Sequence, residues 1–194
     1  MVANPKDFPR HYYTLDEYFA LEKVEDGRYE YWDGDIVSMA GGSLEHAVIG
    51  GNVFVSLTTQ LKGRNCRPFN AELAIKTPKA LPYRYPDASV VCGEVQREKI
   101  EGIDVLLNPI LVVEVLSPRT ESRDRNEKRK AYQALPSMRE YLLLAQDKPQ
   151  AIHYVKKGDL WVRTAHDGLA TELVLESIAC QLLLSDVYEG VIFN

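Results

Sequence analysis

An almost unbroken apolar run, Ile110 to Leu116, constrains the fold of this chain more than any other stretch. Such a run is expected for a central strand that is buried on both faces, as in an α/β domain whose helices cover its sheet. The run nevertheless contains Glu114. Because an unpaired carboxylate is costly to bury, Glu114 needs a cation or hydrogen-bond donors, which makes it a candidate functional residue.

A second carboxylate, Asp87, begins another predicted strand and directly follows Pro86. On an extended strand Asp87 shares a face with Ser89 and Val91. Two strands therefore each place one carboxylate where an apolar residue would be easier to bury. Since Mg²⁺ is held by one or two carboxylates together with water and substrate phosphate, Asp87 and Glu114 are predicted metal ligands.

A lysine on the next predicted helix adds a positive charge. The helix runs from Glu121, and its apolar face carries Asp124, Lys128, Ala131, Tyr132 and Leu135. Lys128 therefore points towards the sheet, where it could orient an attacking water or neutralise a scissile phosphate. Two acids and a lysine suggest a divalent-metal site for phosphodiester cleavage, because the metal activates water and stabilises the growing charge.

Each of these residues also has a purely structural interpretation. Asp87 could be a turn residue at the start of a strand. Glu114 could form a structural ion pair with Arg84 or with Lys128. Lys128 could be a surface lysine whose aliphatic part packs on the protein. The order strand, strand, helix favours one site over three separate explanations.

Four further residues are weaker candidates for the same centre. Glu72 lies in the predicted strand before Asp87 and could reach the same metal, although a solvated strand face is the simpler interpretation. His46 could be a ligand, a phosphate contact or a histidine at a helix start, and the structural options are favoured. Glu30 and Glu45 complete this group.

The remaining pattern predicts a single domain over residues 1–194, with residues 1–13 as an N-terminal arm. Thr14 and Glu17 have the spacing of a capping box. Asp33-Gly34 has the composition of a two-residue hairpin turn. The predicted helices are Thr14 to Glu22, Ser43 to about Leu61, Glu121 to Leu135 and a short one near Val187-Tyr188.

Predicted strands alternate with these helices. They are Tyr29 to Trp32, Asp35 to Met39, Cys66 to Lys76, Asp87 to Val91, Ile110 to Leu116, Glu140 to Leu144, Ala151 to Lys156, Leu160 to Thr164 and Leu182 to Leu184. Two intervening stretches are expected to be irregular. They are the turn-rich connection Thr77 to Pro82 and the charged segment Cys92 to Asn108, which could hold a short helix.

Composition and charge exclude several classes of protein. No run of about 18 apolar residues occurs and the N-terminus is polar, so neither a membrane span nor a signal peptide is predicted. The net charge of −5 argues against a protein that coats nucleic acid through bulk electrostatics. A local basic surface is available between Arg119 and Lys130.

The three cysteines, Cys66, Cys92 and Cys180, are widely spaced and odd in number. This pattern argues against a disulfide framework and against a cysteine-type zinc site. It favours a protein of the reducing cytoplasm.

Taken together, these residues resemble a restriction-endonuclease-like family with many bacterial paralogues, within the PD-(D/E)XK nuclease superfamily. The likeness covers most of the chain. The matching residues are Tyr29-Glu30, Asp33-Gly34, His46, Pro86-Asp87, Val113 to Pro118, Thr120, Asp124, Lys128, Tyr132 and Glu140-Tyr141. Leu142 stands where the family usually has an aromatic residue.

The resemblance implies a restriction endonuclease-like α/β fold, with a mixed central β-sheet flanked by helices and with β-hairpin additions. It also implies a Mg²⁺-dependent nuclease centre, for which Mn²⁺ could substitute. Asp87 and Glu114 would be metal ligands, with the backbone carbonyl of Val115 as a third. The superfamily's lysine two residues after the second acid is absent, because that position is Leu116, and Lys128 would replace it.

The predicted function is a Mg²⁺-dependent DNA endonuclease with Asp87, Glu114 and Lys128 as catalytic residues. Metal-activated water attacks phosphorus in line, while Lys128 positions the water or neutralises charge. A cytoplasmic homodimer is compatible with this function, since cutting both strands needs two centres. Two alternatives stay open: a non-catalytic nucleic-acid-binding or assembly module that retains the fold, favoured by the acidic net charge, and a metal-dependent phosphohydrolase of small nucleotides.

Overall fold

The structure of the protein, a computed structural model, describes residues 11–24, 28–39, 41–78 and 80–193. Contacts group the chain into two compact units, Met1–Ala40 and Gly41–Asn194. Most of the predicted N-terminal arm, residues 1–10, lies outside the described residues, and Tyr12 and Tyr13 at its end are exposed. The single-domain organisation of the chain stays a prediction.

The first unit contains one helix and one hairpin, as predicted. Helix α1 spans Leu15–Val24, and strand β1, Tyr29–Trp32, pairs with β2, Asp35–Ser38. Asp33 and Gly34 between the strands have φ angles of 46° and 89°. Both central positions of this tight hairpin turn require a positive φ, so the Asp-Gly pair is well suited to it.

The capping box at the start of α1 is also confirmed. The Thr14 N–H donates to Glu17 Oε2 at 2.7 Å, and the Glu17 N–H donates to Thr14 Oγ1 at 3.2 Å. The hydrogen bonds that the Glu17 carboxylate accepts from the Thr14 N–H and the Thr14 hydroxyl lower the pKa of the Glu17 carboxyl group below its ordinary value. The reciprocal pair satisfies donors that the first helical turn would otherwise leave unpaired.

The second unit has a six-stranded sheet and two smaller sheets. Its strands are β3 Cys66–Asn70, β4 Ala74–Thr77, β5 Ala80–Arg84, β6 Ala88–Cys92, β7 Arg97–Ile100, β8 Ile103–Leu106, β9 Leu111–Leu116, β10 Glu140–Ala145, β11 Gln150–Lys157, β12 Leu160–Asp167, β13 Glu172–Leu175 and β14 Cys180–Leu183. Its helical elements are α2 Leu44–Leu61, α3 Glu121–Arg123, a π-helical segment Asp124–Lys128, α4 Arg129–Gln133, a 3₁₀ turn Glu176–Ile178 and α5 Leu184–Val187.

The large sheet has the strand order β12-β11-β10-β9-β6-β3. Strands β9 and β10 are parallel and the other neighbours are antiparallel, so the sheet is mixed. Every residue of β9 is buried. Val113 and Val115 pack in one core cluster with Ile49 of α2, while Val112 packs with Tyr132 of α4 on the opposite face. The prediction of a central strand buried on both faces within an α/β fold is confirmed.

Helix α2 begins at its predicted N-cap. Ser43 Oγ accepts a hydrogen bond from the His46 N–H at 3.2 Å, which satisfies one donor of the first turn. We expect Ser43→Ala to lower the free energy of unfolding by about 1 kcal/mol, whereas Ser43→Asp retains a capping oxygen and should stay close to wild type. Urea denaturation of the three proteins measures the difference, and an equal loss in both variants would contradict the capping role.

Two predictions about the middle of the chain are wrong. The predicted strand Cys66 to Lys76 is two strands, β3 and β4, which belong to different sheets and are separated by residues 71–73. The predicted turn-rich connection Thr77 to Pro82 contains the start of β5, which pairs with β4. The strands of this region form because they pair with one another in a small sheet, and local composition does not predict such pairing.

The charged segment Cys92 to Asn108 is not irregular and contains no helix. It forms a hairpin of β7 and β8, closed by Glu101 and Gly102 with φ angles of 50° and 97°. The residues of β7 alternate between exposed and partly buried, which explains why a charged sequence can form this strand. The Glu-Gly pair serves here as the hairpin turn that Asp-Gly forms in the first unit.

The cysteines also depart from the prediction. Cys66 and Cys92 face each other across β3 and β6 and form a disulfide, while Cys180 is a buried free thiol. The sequence argument against a disulfide framework did not foresee this bond, and the cytoplasmic location that it favoured stays a prediction. The partners are separated by 26 residues, and only the register of two strands brings them together.

The C-terminal third follows the predicted order with one addition. The hairpin of β11 and β12 is confirmed, as are a last strand, β14, and a short helix, α5. Strand β13, which pairs with β14, was not predicted. None of the helices in the described part of the chain has the length and apolar character of a membrane span.

Candidate active site

The two predicted metal ligands lie on neighbouring strands. Strands β6 and β9 are antiparallel, with Ala88 opposite Val113. Extending this register by one residue places Asp87 opposite Glu114. Asp87 directly precedes β6, and its Oδ2 accepts a hydrogen bond from the Val115 N–H at 2.6 Å. The sheet therefore brings the two carboxylate residues opposite each other on neighbouring strands. The sequence had placed them on two separate strands.

The side chain of Glu114 is buried, with 3% of the residue exposed, and it is held by two donors. Its Oε1 accepts hydrogen bonds from Lys128 Nζ at 3.1 Å and from the Tyr132 hydroxyl at 3.3 Å. Lys128 is 2% exposed. The prediction that Lys128 points towards the sheet is thus confirmed, and the ion pair considered between Lys128 and Glu114 is present.

The ammonium group of Lys128 has a second acidic neighbour. Its Nζ lies 3.5 Å from Asp124 Oδ1, and it donates to the Tyr85 carbonyl at 3.4 Å. Asp124 is 1% exposed. Asp87, Glu114 and Asp124 thus bring three carboxyl groups to this centre beside the Lys128 ammonium group. Carboxylate oxygens are the donor atoms that a divalent cation such as Mg²⁺ prefers.

A local departure from α-helical geometry carries the buried charged residues Asp124 and Lys128. Asp124–Lys128 is π-helical, between the α-helical segments α3 and α4. Single π-helical turns inside helices occur frequently at functional sites. Residues Asp124, Lys128, Ala131, Tyr132 and Leu135 are all buried, so the predicted inward face is correct although the π-helical turn was not foreseen.

Tyr141 supports the helix from the sheet and was missed as a site residue. Its hydroxyl donates to the Asp124 carbonyl at 2.9 Å. Burial, followed by the negative charges of Glu114 and Asp124, raises the pKa of the Tyr141 hydroxyl well above its ordinary value. Tyr141 therefore stays a hydrogen-bond donor at neutral pH. Its sequence signals were its place beside Glu140 at the start of a buried strand and the family resemblance, which includes the Glu140-Tyr141 pair.

Of the weaker candidates, His46 lies beside Asp87. His46 Nε2 lies 3.5 Å from Asp87 Oδ2, and both side chains are about one-fifth exposed, at 23% and 19%. The capped first turn of α2 fixes the backbone of His46. The histidine and Asp87 therefore form the solvent-accessible side of a centre whose Lys128 side is buried.

The other weak candidates lie after β3, on α2 and on β1. Glu72 is exposed in the turn after β3, where its N–H donates to Asn70 Oδ1 at 3.2 Å. Glu45 is partly buried in the first turn of α2, and hydrogen bonds from its own N–H and from Ser43 lower its pKa. Glu30 belongs to the first unit, where its Oε2 accepts from Trp32 Nε1 at 3.0 Å.

Side chains alone do not form a complete metal cage in the described residues. No group of three or more His, Cys, Asp or Glu side chains is arranged to hold a metal ion there. The predicted ligand set is smaller and consists of two carboxylates and the Val115 carbonyl. Such a set suits Mg²⁺ better than Zn²⁺, since Mg²⁺ keeps several waters whereas a structural Zn²⁺ needs four protein ligands.

Comparison with known proteins points in the same direction as this geometry. A model of the Uma2 family, described as "Putative restriction endonuclease", matches residues 15–185. Two uncharacterized proteins of Synechocystis sp. are similar. One is 32% identical over 194 residues and covers 100% of both chains. The other is 30% identical over 161 residues, which are 82% of this chain and 90% of the relative.

A solved structure has the same fold. It is the crystal structure of a "putative nuclease belonging to DUF820" from Anabaena variabilis, with a TM-score of 0.72 and 20% sequence identity. The alignment covers 93% of this chain and 99% of that one. The likeness confirms the restriction endonuclease-like α/β fold expected from the sequence.

Proposed function

Because this chain belongs to the Uma2 family, whose description is "Putative restriction endonuclease", we propose that it is a Mg²⁺-dependent endonuclease that hydrolyses phosphodiester bonds of DNA. The family and the nuclease-like fold support a nuclease-type function and a nucleic-acid substrate. The finer assignment, to DNA, to Mg²⁺ and to three catalytic residues, rests on the site. Its residues are Asp87, Glu114 and Lys128.

The observation that carries the proposal is the buried ion pair between Glu114 and Lys128, at 3.1 Å, beside Asp124 and next to Asp87 in the strand register. Burying such charges costs more than an apolar replacement of the same volume in many proteins. A functional requirement explains why this sequence retains them in the core. Carboxylates and a lysine gathered beside two neighbouring strands are suited to binding a metal and a phosphate.

The donor atoms fit a hard cation. Asp87 and Glu114 offer carboxylate oxygens, which Mg²⁺ and Mn²⁺ prefer. If the register of β6 and β9 is continued by two residues, Pro86 stands opposite Val115. A proline has no N–H to donate to the Val115 carbonyl, so the Pro-Asp pair leaves this carbonyl oxygen suitable as the third ligand. When bound, the ion would lower the pKa of a coordinated water and polarise the phosphate.

The residues of the chain perform the remaining tasks. Lys128 and Tyr132 hold Glu114 Oε1 in one orientation, which fixes the carboxylate before substrate arrives. The Val115 N–H fixes Asp87 in the same way. Lys128 also supplies positive charge against the phosphoryl oxygens as negative charge grows in the transition state. His46, beside Asp87 on the accessible side, can accept or donate a proton near the entering water.

Metal binding can be tested apart from catalysis. We expect millimolar Mg²⁺ or Mn²⁺ to stabilise the protein against heat, because an ion at ten times its dissociation constant adds about 1.4 kcal/mol to the stability of the folded state. Asp87→Asn should abolish this stabilisation. Asp159→Asn, in the exposed turn between β11 and β12, is the matched control and should keep it.

Thermal melts of the three proteins with and without metal give the result. The proposed ligand role requires that the wild type and Asp159→Asn shift together while Asp87→Asn does not. A wild-type protein that shows no shift at about 20 mM Mg²⁺ or Mn²⁺ would contradict the metal site, and an equal shift in Asp87→Asn would place the ion elsewhere.

A further inference from the structure

The outer side of helix α2 carries no charge along most of its length. The buried residues of this helix are Ile49, Val53, Leu57 and Leu61. The sequence has no Asp, Glu, Lys or Arg between Glu45 and Lys62. A surface helix of a globular protein normally carries charged residues on the side opposite its core. The composition of α2 therefore favours a second contact on its outer side.

Four exposed residues form a continuous ridge on this side of the helix, the α2 ridge. They are Ala47, Gly51, Val55 and Thr59, which follow one another at intervals of four residues. Val55 is the large apolar residue of the ridge and is 64% exposed. Thr59 Oγ1 donates to the Val55 carbonyl at 2.8 Å, so a partner can cover the Thr59 hydroxyl without leaving its donor unpaired. The ridge is thus suited to burial.

Gly51 leaves room for a close approach in the middle of the ridge. A glycine in a helix interior costs about 1 kcal/mol relative to alanine. A Cβ atom at position 51 would meet no atom within 4 Å in the described part of the chain. Packing inside the molecule therefore does not explain this glycine, whereas a side chain of a second molecule seated against its backbone does.

The α2 ridge is complementary to itself. Ala47 and Thr59 lie at equal distances on either side of position 53, as do Gly51 and Val55. A two-fold axis at the level of position 53 therefore sets Val55 of each molecule beside Gly51 of the other, and Ala47 beside Thr59. Ridges of this spacing pack together at a crossing angle of about −50°, with the helix axes about 8–10 Å apart. The ridge meets the requirement of an isologous contact, in which one surface fits itself.

The charges at the two ends of α2 select an antiparallel partner. Glu45, which is partly buried, lies in the first turn, and Lys62, which is exposed, is the C-cap residue. An antiparallel arrangement brings the acidic end of one helix to the basic end of the other at both ends of the contact. A parallel arrangement would bring like charges together. A second copy of this chain in antiparallel orientation is therefore the occupant that matches the charge pattern.

The neighbouring hairpin of β13 and β14 extends this surface. Gln60 of α2 exchanges two hydrogen bonds with the backbone of Gln181 in β14, at 2.7 and 3.0 Å. Leu182 of the same strand packs in the core cluster that α2 covers, so the hairpin lies beside the helix. Val174 and Leu183 point away from that core and are exposed. They add apolar area next to the ridge, because a stable interface of about 1,200–2,000 Å² needs more than one helix crossing.

We propose that the protein is a homodimer in which the α2 ridges of two molecules pack antiparallel across a two-fold axis. Val55 of each molecule, packed against the Gly51 backbone of the other, forms the apolar centre of the interface. The charged ends of the helices, at Glu45 and Lys62, lie at its rim. This inference gives the expected homodimer an interface, and it does not depend on nuclease activity.

Sedimentation equilibrium of the full-length protein tests the interface. We expect the wild type to be dimeric at about 100 μM and Val55→Glu to weaken the dimer at least about thirtyfold, because the variant buries two carboxylates at the centre of the contact. Leu160→Glu replaces a similarly exposed apolar residue at the start of β12 and should dimerise like the wild type. A monomeric wild type would overturn the proposal, as would a folded Val55→Glu protein that dimerises as tightly as the wild type.

Cross-linking tests the antiparallel orientation with milder substitutions. Ala47→Cys and Thr59→Cys proteins are prepared separately, mixed and treated with a short bis-maleimide. The proposed packing sets position 47 beside position 59 of the other molecule, so a cross-linked dimer should form in the mixture. Neither variant alone should cross-link, because equal positions lie about 18 Å apart along the helix.

The single variants are also the controls for the buried thiol of Cys180, which is present in every sample. Cross-linking in either variant alone would indicate a parallel contact, and no cross-linking in the mixture would place the interface elsewhere. Both results would overturn the proposal.

Discussion

Glu114→Gln is expected to reduce the rate of DNA cleavage by about 10³-fold or more. The substitution keeps the size of the side chain but removes a negative charge from the proposed metal centre, and the loss of several kcal/mol of transition-state stabilisation corresponds to such a factor. The amide also replaces the carboxylate that accepts from Lys128 Nζ at 3.1 Å. Nicking of supercoiled plasmid at saturating Mg²⁺ measures the effect.

A matched control separates this charge effect from a general loss of acidity. Glu172→Gln removes a carboxylate from an exposed position of β13 and should cleave at the wild-type rate. The variant Glu114→Gln should also retain its circular dichroism spectrum. Wild-type activity in a folded Glu114→Gln protein would remove Glu114 from the reaction and leave the ion pair with Lys128 as a structural feature.

Lys128→Met is expected to lower the free energy of unfolding by about 3–5 kcal/mol at neutral pH. The substitution leaves Glu114 and Asp124, which are 3% and 1% exposed, without the ammonium group that lies between them. Uncompensated charge in the interior, rather than lost packing, dominates this cost, because methionine fills a similar volume. Urea denaturation monitored by circular dichroism measures it.

A double-mutant cycle tests the origin of that loss. If the pair is coupled, Lys128→Met with Glu114→Gln should be more stable than the sum of the single changes predicts, by about 1–3 kcal/mol. Additive losses would show that Lys128 is not stabilised by Glu114. Lys130→Met, at an exposed position two residues along the same helical stretch, should change stability by less than about 0.5 kcal/mol.

The part of this site that was predictable from sequence depends on periodic burial. The apolar run around Glu114 identified a central strand. Helical spacing put Lys128 and Tyr132 on the inward face of the following helix, and both residues are buried. These inferences succeed because burial on both faces and a 3.6-residue period leave local patterns. The family resemblance added Val115 and the substitution of Lys128 for a lysine at Leu116. Their roles remain predictions.

Other features depend on tertiary structure and leave no local pattern. The contacts of Tyr141 with Asp124 and of His46 with Asp87 join residues that are far apart in the sequence and lie on different elements. The sequence alone does not fix the distances between them. The disulfide of Cys66 and Cys92 depends on strand register. A hairpin in the charged segment after Cys92 was missed because only its half-buried faces support it. Strand pairing is therefore where sequence reasoning failed most often here.

The most direct test of the proposed function is cleavage of supercoiled plasmid by the wild type in Mg²⁺ and in EDTA, beside Asp87→Asn/Glu114→Gln purified identically. The proposal predicts metal-dependent nicking or linearisation by the wild type and none by the double variant. Equal activity in both proteins would show that the cleavage comes from another source or another site. Metal and DNA binding without cleavage of any DNA would contradict the catalytic proposal and favour a nucleic-acid-binding module.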